Sequence, residues 1–235
     1  MSYRFTIGRR IGTGFGILIF FIILVFLYTG QSVREGIRVF QKSQELNYQI
    51  TTVYNPSINQ LTNLKFYVAE SHRLMQKWVN YQSVKEDLDK QKVKEIISIN
   101  VPKTQDTLES LSKLWDGEYA EIEIEGLQKV NSNLDTLFIY YRDVMDLLPE
   151  MESYDDGLMY MTARSMIGTN GEIDIKTKEI VNLLDELLDR HEQNARNARQ
   201  EQDVSSKSTS EQFNSLLMLV IILGLVLIAG AIFIA

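Results

Sequence analysis

The sequence predicts an all-α protein: an up-down-up-down antiparallel four-helix bundle standing between two membrane-spanning helices. Three observations predict it. Two charge-free apolar runs, 11–30 and 216–235, lie near the ends of the 235-residue chain. Between them apolar residues recur at intervals of three and four, and strand-like alternation is absent. Turn signals and prolines cut that interval into four segments, and short connections make consecutive helices antiparallel.

Residues 1–10 carry Arg4, Arg9 and Arg10, and the first thirty residues hold no acidic group, so the positive-inside rule puts this end in the cytoplasm. The run at 11–30 exceeds the apolar region of about 7 to 15 residues in a signal peptide, and no A-x-A-like cleavage site follows. It reads as a retained anchor. Twenty helical residues rise roughly 30 Å, the thickness of a bilayer's hydrocarbon core. Residues 31–215 are then expected outside the cytoplasm, and 216–235 is expected to return the chain to it. No basic flank follows 216–235, which suggests a tail anchor or a chain that continues into an output region.

The first bundle helix is predicted over 31–78, continuous with the first span. Val33, Ile37, Phe40, Leu46, Ile50 and Val53 form its stripe, and Pro56 is expected to kink it. After a break at 80–83, Ser83 and Glu86 form a capping box for a second helix. Val84, Leu88, Val93, Ile97, Leu108, Leu111 and Trp115 make its stripe, with Pro102 inside it and Asp116-Gly117 as the turn that follows. The third helix has the cleanest heptads: Leu127, Val130, Leu134, Leu137, Tyr141, Val144 and Leu148. Pro149 ends or kinks it. Residues 149–172 read as a distal insert with a short helix over 158–166 and a loop at Gly168-Thr-Asn-Gly171. The fourth helix starts at Ile173 and runs through Ile180, Leu184, Leu187, Leu188, His191, Ala195 and Ala198 into the second span. Beyond Leu188 its stripe thins to Ala, Ser and Gln.

Composition excludes several functions. All 31 acidic residues lie between the spans, so no basic face is available for nucleic acid. With no cysteine and two histidines, neither disulfides nor a zinc-type site are expected, and no cofactor is implied. His191-Glu192 begins like H-E-x-x-H, but Ala195 stands where the second histidine belongs. Gly12, Gly14 and Gly16 lie inside an apolar span and follow no strand, so a phosphate loop fails on context. Gly12-x-x-x-Gly16 instead permits close helix packing, or is incidental. Glu118, Glu121, Glu123 and Glu125 are expected on a solvated face. With no nucleophile, base and orienting group to assemble, the chain reads as non-enzymatic.

Two residues stand out as candidate ligand contacts. Arg73 lies beside Phe66, Ala69 and Glu70 near the distal end of the first helix. Desolvated at an interface, its guanidinium would fork onto a carboxylate or phosphate; exposed, it would pair with Glu70. His72 continues the Val68, Met75, Val79 stripe, either as packing or as a group whose titration makes the bundle pH-sensitive. Met159, Met161 and Met166 either line an adaptable pocket in the insert or fill core gaps. His191 reads as a half-buried helix residue.

The segment Arg10-Ile-Gly-Thr-Gly-Phe-Gly16 entering an aliphatic span resembles the start of bacterial methyl-accepting chemotaxis receptors. Tyr54-Asn-Pro56 through Leu61, Leu64 and His72-Arg73 to Val79 is similar to the first sensor helix of their ligand-binding bundle. Leu187-Leu-Asp-Arg-His191 through Ala195, Ala198 and Phe213 is similar to the fourth. The second helix and residues 149–172 find no counterpart. The resemblance implies a homodimeric periplasmic sensor in the bacterial inner (cytoplasmic) membrane, whose ligand binds at the distal dimer interface and shifts the fourth helix relative to the first. Arginines on the first helix often contact the ligand in that family. Only Arg73 matches here, a departure from the cluster in amino-acid receptors.

The leading expectation is therefore the sensory input module of a chemoreceptor-like protein, binding a small molecule or a periplasmic protein. A membrane-anchored helical scaffold or envelope-complex subunit is the alternative, as is the sensor region of a histidine kinase.

Overall fold

The structure, a computed structural model, describes residues 7–80, 88–117 and 120–234. It is all-helical among those residues and divides into two compact units: Met1–Tyr48 with Asn197–Ala235 as unit 1, and Gln49–Arg196 as unit 2.

Helix α1 (Ile7–Tyr48) leads into a π-helical segment, Gln49–Tyr54, and then α2 (Asn55–Asn80). Proline explains the π-helical turn. Pro56 has no N–H, and its ring crowds the carbonyl four residues back, so the chain relaxes into a wider i→i+5 turn. At the site where a kink is expected, the structure has this π-helical segment. The same device recurs in the next strut, where α3 (Leu88–Glu95) passes through π-helical Ile96–Asn100 into α4 (Val101–Ser112), with Pro102 second in α4.

That second π-helical turn changes the register expected for the strut. The buried positions are Lys90, Val93, Ile96, Val101, Thr104, Leu108, Ser112 and Trp115, while Leu88 is exposed and Ile97 and Leu111 are only half-buried. The five-residue step from Ile96 to Val101 is the widened turn itself. The capping box at Ser83 and Glu86 lies outside the described residues.

Helix α5 (Ala120–Leu147) buries the predicted heptad residues, and Leu148 closes its end by donating to the Val144 carbonyl at 3.0 Å. Pro149 then stops it. A 3-10 turn, Met151–Asp155, and α6 (Gly157–Ile167) follow, the latter capped by Asp156, which accepts from the N–H groups of Leu158 and Met159. Helix α7 (Glu172–Ile234) is uninterrupted over 63 residues. Before it, Asn170 adopts φ 63° and donates its N–H to Asp174 Oδ2 at 2.9 Å. A Cβ at Gly171 would collide with the carbonyls of Ser165 and Met166, so this turn requires glycine.

Within unit 2, polar contacts give the helix directions. Trp115 Nε1 donates to Ser57 Oγ at 2.9 Å and Lys77 Nζ to Asp89 Oδ2 at 2.9 Å, so the α3–α4 strut runs antiparallel to α2. Trp78 Nε1 donates to the Leu148 carbonyl at 2.9 Å, and the Ser71 and Tyr141 hydroxyls meet at 3.2 Å, so α5 runs parallel to α2. Asn133 to Glu179 and Asn194 to Glu123, each 3.2 Å, set α7 antiparallel to α5. Leu61, Leu64, Val68, Leu134, Leu137, Tyr141, Ile180 and Leu184 fill the shared core. Each fully buried aliphatic side chain contributes about 1.5–3 kcal/mol.

Within unit 1, Lys42 pairs with Glu201, and Gln202 donates to Ser43 Oγ at 3.3 Å. Its apolar side chains stay exposed: Phe15, Phe20 and Phe26 on α1, Leu217, Met218 and Leu225 on α7. The described chain thus contains two helices long and apolar enough to cross a membrane.

Candidate functional site

His72 and Arg73 face different partners. Adjacent residues on an α-helix project about 100° apart, and α2 keeps them apart in this way. Arg73 is exposed and grips Glu70 through Nε and Nη2 at 2.7 and 2.8 Å, while Lys92 of α3 donates to the same carboxylate at 2.8 Å. The Arg73 and Lys92 hydrogen bonds hold the Glu70 carboxyl down at about 2. An exposed ion pair of this kind is worth little. His72 is half-buried and meets Gln76 Nε2 at 3.1 Å. Burial lowers its pKa; Asp174 opposes this and Lys178 reinforces it. The core position expected for His72 is taken by Ser71, which donates to the Val68 carbonyl. Met159 and Met161 are exposed, and Met166 packs against the core.

The end of unit 2 where α2 and α5 finish is closed by a ladder of cations and rings. Lys90 is buried with Nζ 4.6 Å from the Trp78 ring centroid and 5.8 Å from that of Tyr154. Lys94 Nζ lies 5.8 Å from the same Trp78 ring centroid. The Tyr154 hydroxyl donates to the Trp78 carbonyl, and Tyr160 stands 6.2 Å from Tyr154. The buried Lys90 contact stabilises by up to about 2 kcal/mol and the exposed Lys94 contact by about 0.5–1 kcal/mol. They bind the 149–172 insert to α2 and α3, a role its sequence did not reveal.

The opposite end, where the chain enters at Gln49 and leaves at Arg196, carries a buried polar cluster. Gly117 has φ +110° and donates its N–H to Asp116 Oδ1, forming the turn that leaves Trp115 pointing inward. The Trp115 ring lies 4.5 Å from that of His191 on α7, and the Tyr54 ring, from the π-helical segment, lies 6.4 Å from it. His191 is completely buried, not half-buried, and neither ring nitrogen has a hydrogen-bond partner among the described residues. Burial alone drives its pKa down to about 4.

Glu123 corrects a second expectation. Placed on a solvated face by its acidic neighbours, it is 2% exposed and accepts from Asn194. It lies four residues before Leu127, so it occupies the next core position of the α5 heptad. Burial raises its pKa, opposed by Arg190 and the Asn194 hydrogen bond. Tyr54 is also raised, by burial first and then by Glu123 and Asp116. Glu118 lies outside the described residues.

Among the described residues no carboxylate or hydroxyl is hydrogen-bonded to the His191 ring. Among the described residues no three His, Asp or Glu side chains converge to hold a metal. Unit 1 contains a groove of about 810 Å³ with walls such as Phe21, Leu24, Met218 and Leu219. Apart from Tyr28, Asn214 and Ser215 its lining is apolar, which suits packing between hydrophobic helices better than recognition of a polar metabolite.

No protein-family model matches the chain, nor does any curated protein or solved structure.

Proposed function

We propose that the chain is the input module of a transmembrane sensor: a four-helix bundle outside the cytoplasm, anchored by 11–30 and 216–235, with its state relayed along α7. The observation that carries this reading is the 63-residue continuity of α7. One helix buries Ile173, Ile180, Leu184 and Leu187 in the bundle and goes on to expose Leu217, Met218 and Leu225. A hydrogen-bonded helix resists axial compression, so a shift or rotation at one end is delivered to the other. Between these regions the buried stripe narrows to Ala195 and Ala198, which offers little resistance to sliding. In this reading the protein is a homodimer in a bacterial cytoplasmic membrane, is not itself an enzyme, and binds a small molecule or a periplasmic protein. The resemblance to chemotaxis receptors supports it at Arg10–Gly16, Tyr54–Val79 and Leu187–Phe213.

A helical scaffold is the second reading, favoured by the exposed Glu70-bound state of Arg73, which leaves its guanidinium already paired. A thermal-shift screen of the lipid-reconstituted chain against small metabolites separates the two. The sensor reading expects at least one compound to raise the melting temperature, with the gain reduced in Arg73→Ala or His72→Gln if those residues touch it. A chain that responds to no metabolite and no periplasmic protein contradicts it.

A further inference from the structure

We propose that His191 is an acid-operated latch on the end of the bundle from which α7 leaves, so that protons are one stimulus this module detects. Three geometric facts carry the proposal. The imidazole is completely buried and neither nitrogen has a hydrogen-bond partner among the described residues, so it is packing that holds the neutral ring there. Its neighbours from the other segments are aromatic: Trp115 at 4.5 Å and Tyr54 at 6.4 Å. Tyr54 ends the π-helical segment Gln49–Tyr54, and such single wide turns are frequently found at functional sites.

A proton added to this ring creates a buried cation with no acceptor for either N–H. Interiors exclude such charges strongly, and the ring reaches water only if α7 moves away from Trp115. Among the described residues the other titratable and charged groups of the cluster are Tyr54 from the π-helical segment, Asp116 from the turn, Glu123 from α5 and Arg190 from α7. None is hydrogen-bonded to the imidazole. Glu123, whose burial raises its pKa, gains its proton in the folded state and so favours the closed end in acid; the opening is driven by His191 against it.

The latch is a property of unit 2 alone; its use as an input rests on the sensor reading. The test uses the full chain in lipid nanodiscs. Because the sequence has two histidines and no cysteine, labelled imidazoles give two resonances and an introduced cysteine is unique. Ala195→Cys, buried one turn beyond His191, reports opening through thiol labelling relative to the exposed Glu109→Cys. The expected result is a His191 resonance, assigned with His72→Gln, that stays neutral until well below pH 6. The relative labelling at position 195 should rise by about tenfold or more between pH 7 and pH 4. His191→Leu, and His191→Gln as a second non-titrating variant, should abolish that rise, and Glu123→Gln should retain it. A rise that persists in both histidine variants, its loss in Glu123→Gln, its absence in the parent chain, or a His191 midpoint near 6.5 overturns the latch. Acid opening without any change in unit 1 leaves the latch standing and counts against the sensor reading.

Discussion

A buried imidazole, a buried carboxylate and a buried phenol each report on how unit 2 is held. His191 has its folded-state pKa pushed down to about 4 from 6.5, so the unfolded chain binds the proton more readily across that interval. Stability contributed by the neutral ring is complete above pH 6.5 and is lost as pH falls toward 4, a change on the order of 3 kcal/mol. Thermal melts of His191→Leu should therefore stay flatter than the parent between pH 6.5 and 4. Glu123 works with the opposite sign, since its raised pKa favours folding as acid protonates it, and Glu123→Gln isolates that contribution. Tyr141→Phe removes the hydroxyl that meets Ser71 inside the core. A loss of about 1 kcal/mol is expected in chemical denaturation. The Arg73–Glu70 pair was legible from i,i+3 spacing. Glu123 was legible only by extending the α5 heptad one step back, and its acidic neighbours outweighed that signal. Lys90 was not legible, because only folding brings Trp78 and Tyr154 over one ammonium.

At the scale of elements, the short helix α6 and the Asp116-Gly117 turn follow from local chemistry and could be read directly, while Pro149 left an end or a kink open and the structure shows the end. The register of the α3–α4 strut could not, because a heptad reading assumes constant turns and the π-helical step at Ile96–Asn100 inserts an extra residue. The two π-helical turns should respond differently to removal of their prolines. Around Pro56 the buried positions Leu46, Ile50, Val53 and Ser57 keep ordinary three-and-four spacing, so proline alone sustains the wide turn. Pro56→Ala should convert it to α-helix and slow amide exchange across 49–56. Around Pro102 the core demands the five-residue step, and Pro102→Ala should leave exchange nearly unchanged. At the capped end, Trp78→Leu removes the indole N–H and the ring beneath Lys90. Protease should then cut first within 149–172, whereas the parent insert resists.

For the whole molecule, the sequence marked the helical class and the two apolar runs, because hydropathy and period are local properties. Which titratable groups become buried depended on contacts between distant segments. The proposed topology predicts that Glu109→Cys reacts with a membrane-impermeant thiol reagent in intact cells, while Ser2→Cys reacts only after permeabilisation. The central claim is relay along α7, and unit 1 supplies a gauge for it: Ser43 and Gln202 are hydrogen-bonded at 3.3 Å. With nitroxides at positions 43 and 202 in nanodiscs, the spin–spin distance should shift or broaden when unit 2 is opened at pH 4.5 or occupied by a stabilising compound, and His191→Leu should suppress the acid response. An unchanged distance distribution, with unit 2 demonstrably opened or occupied, would contradict the account.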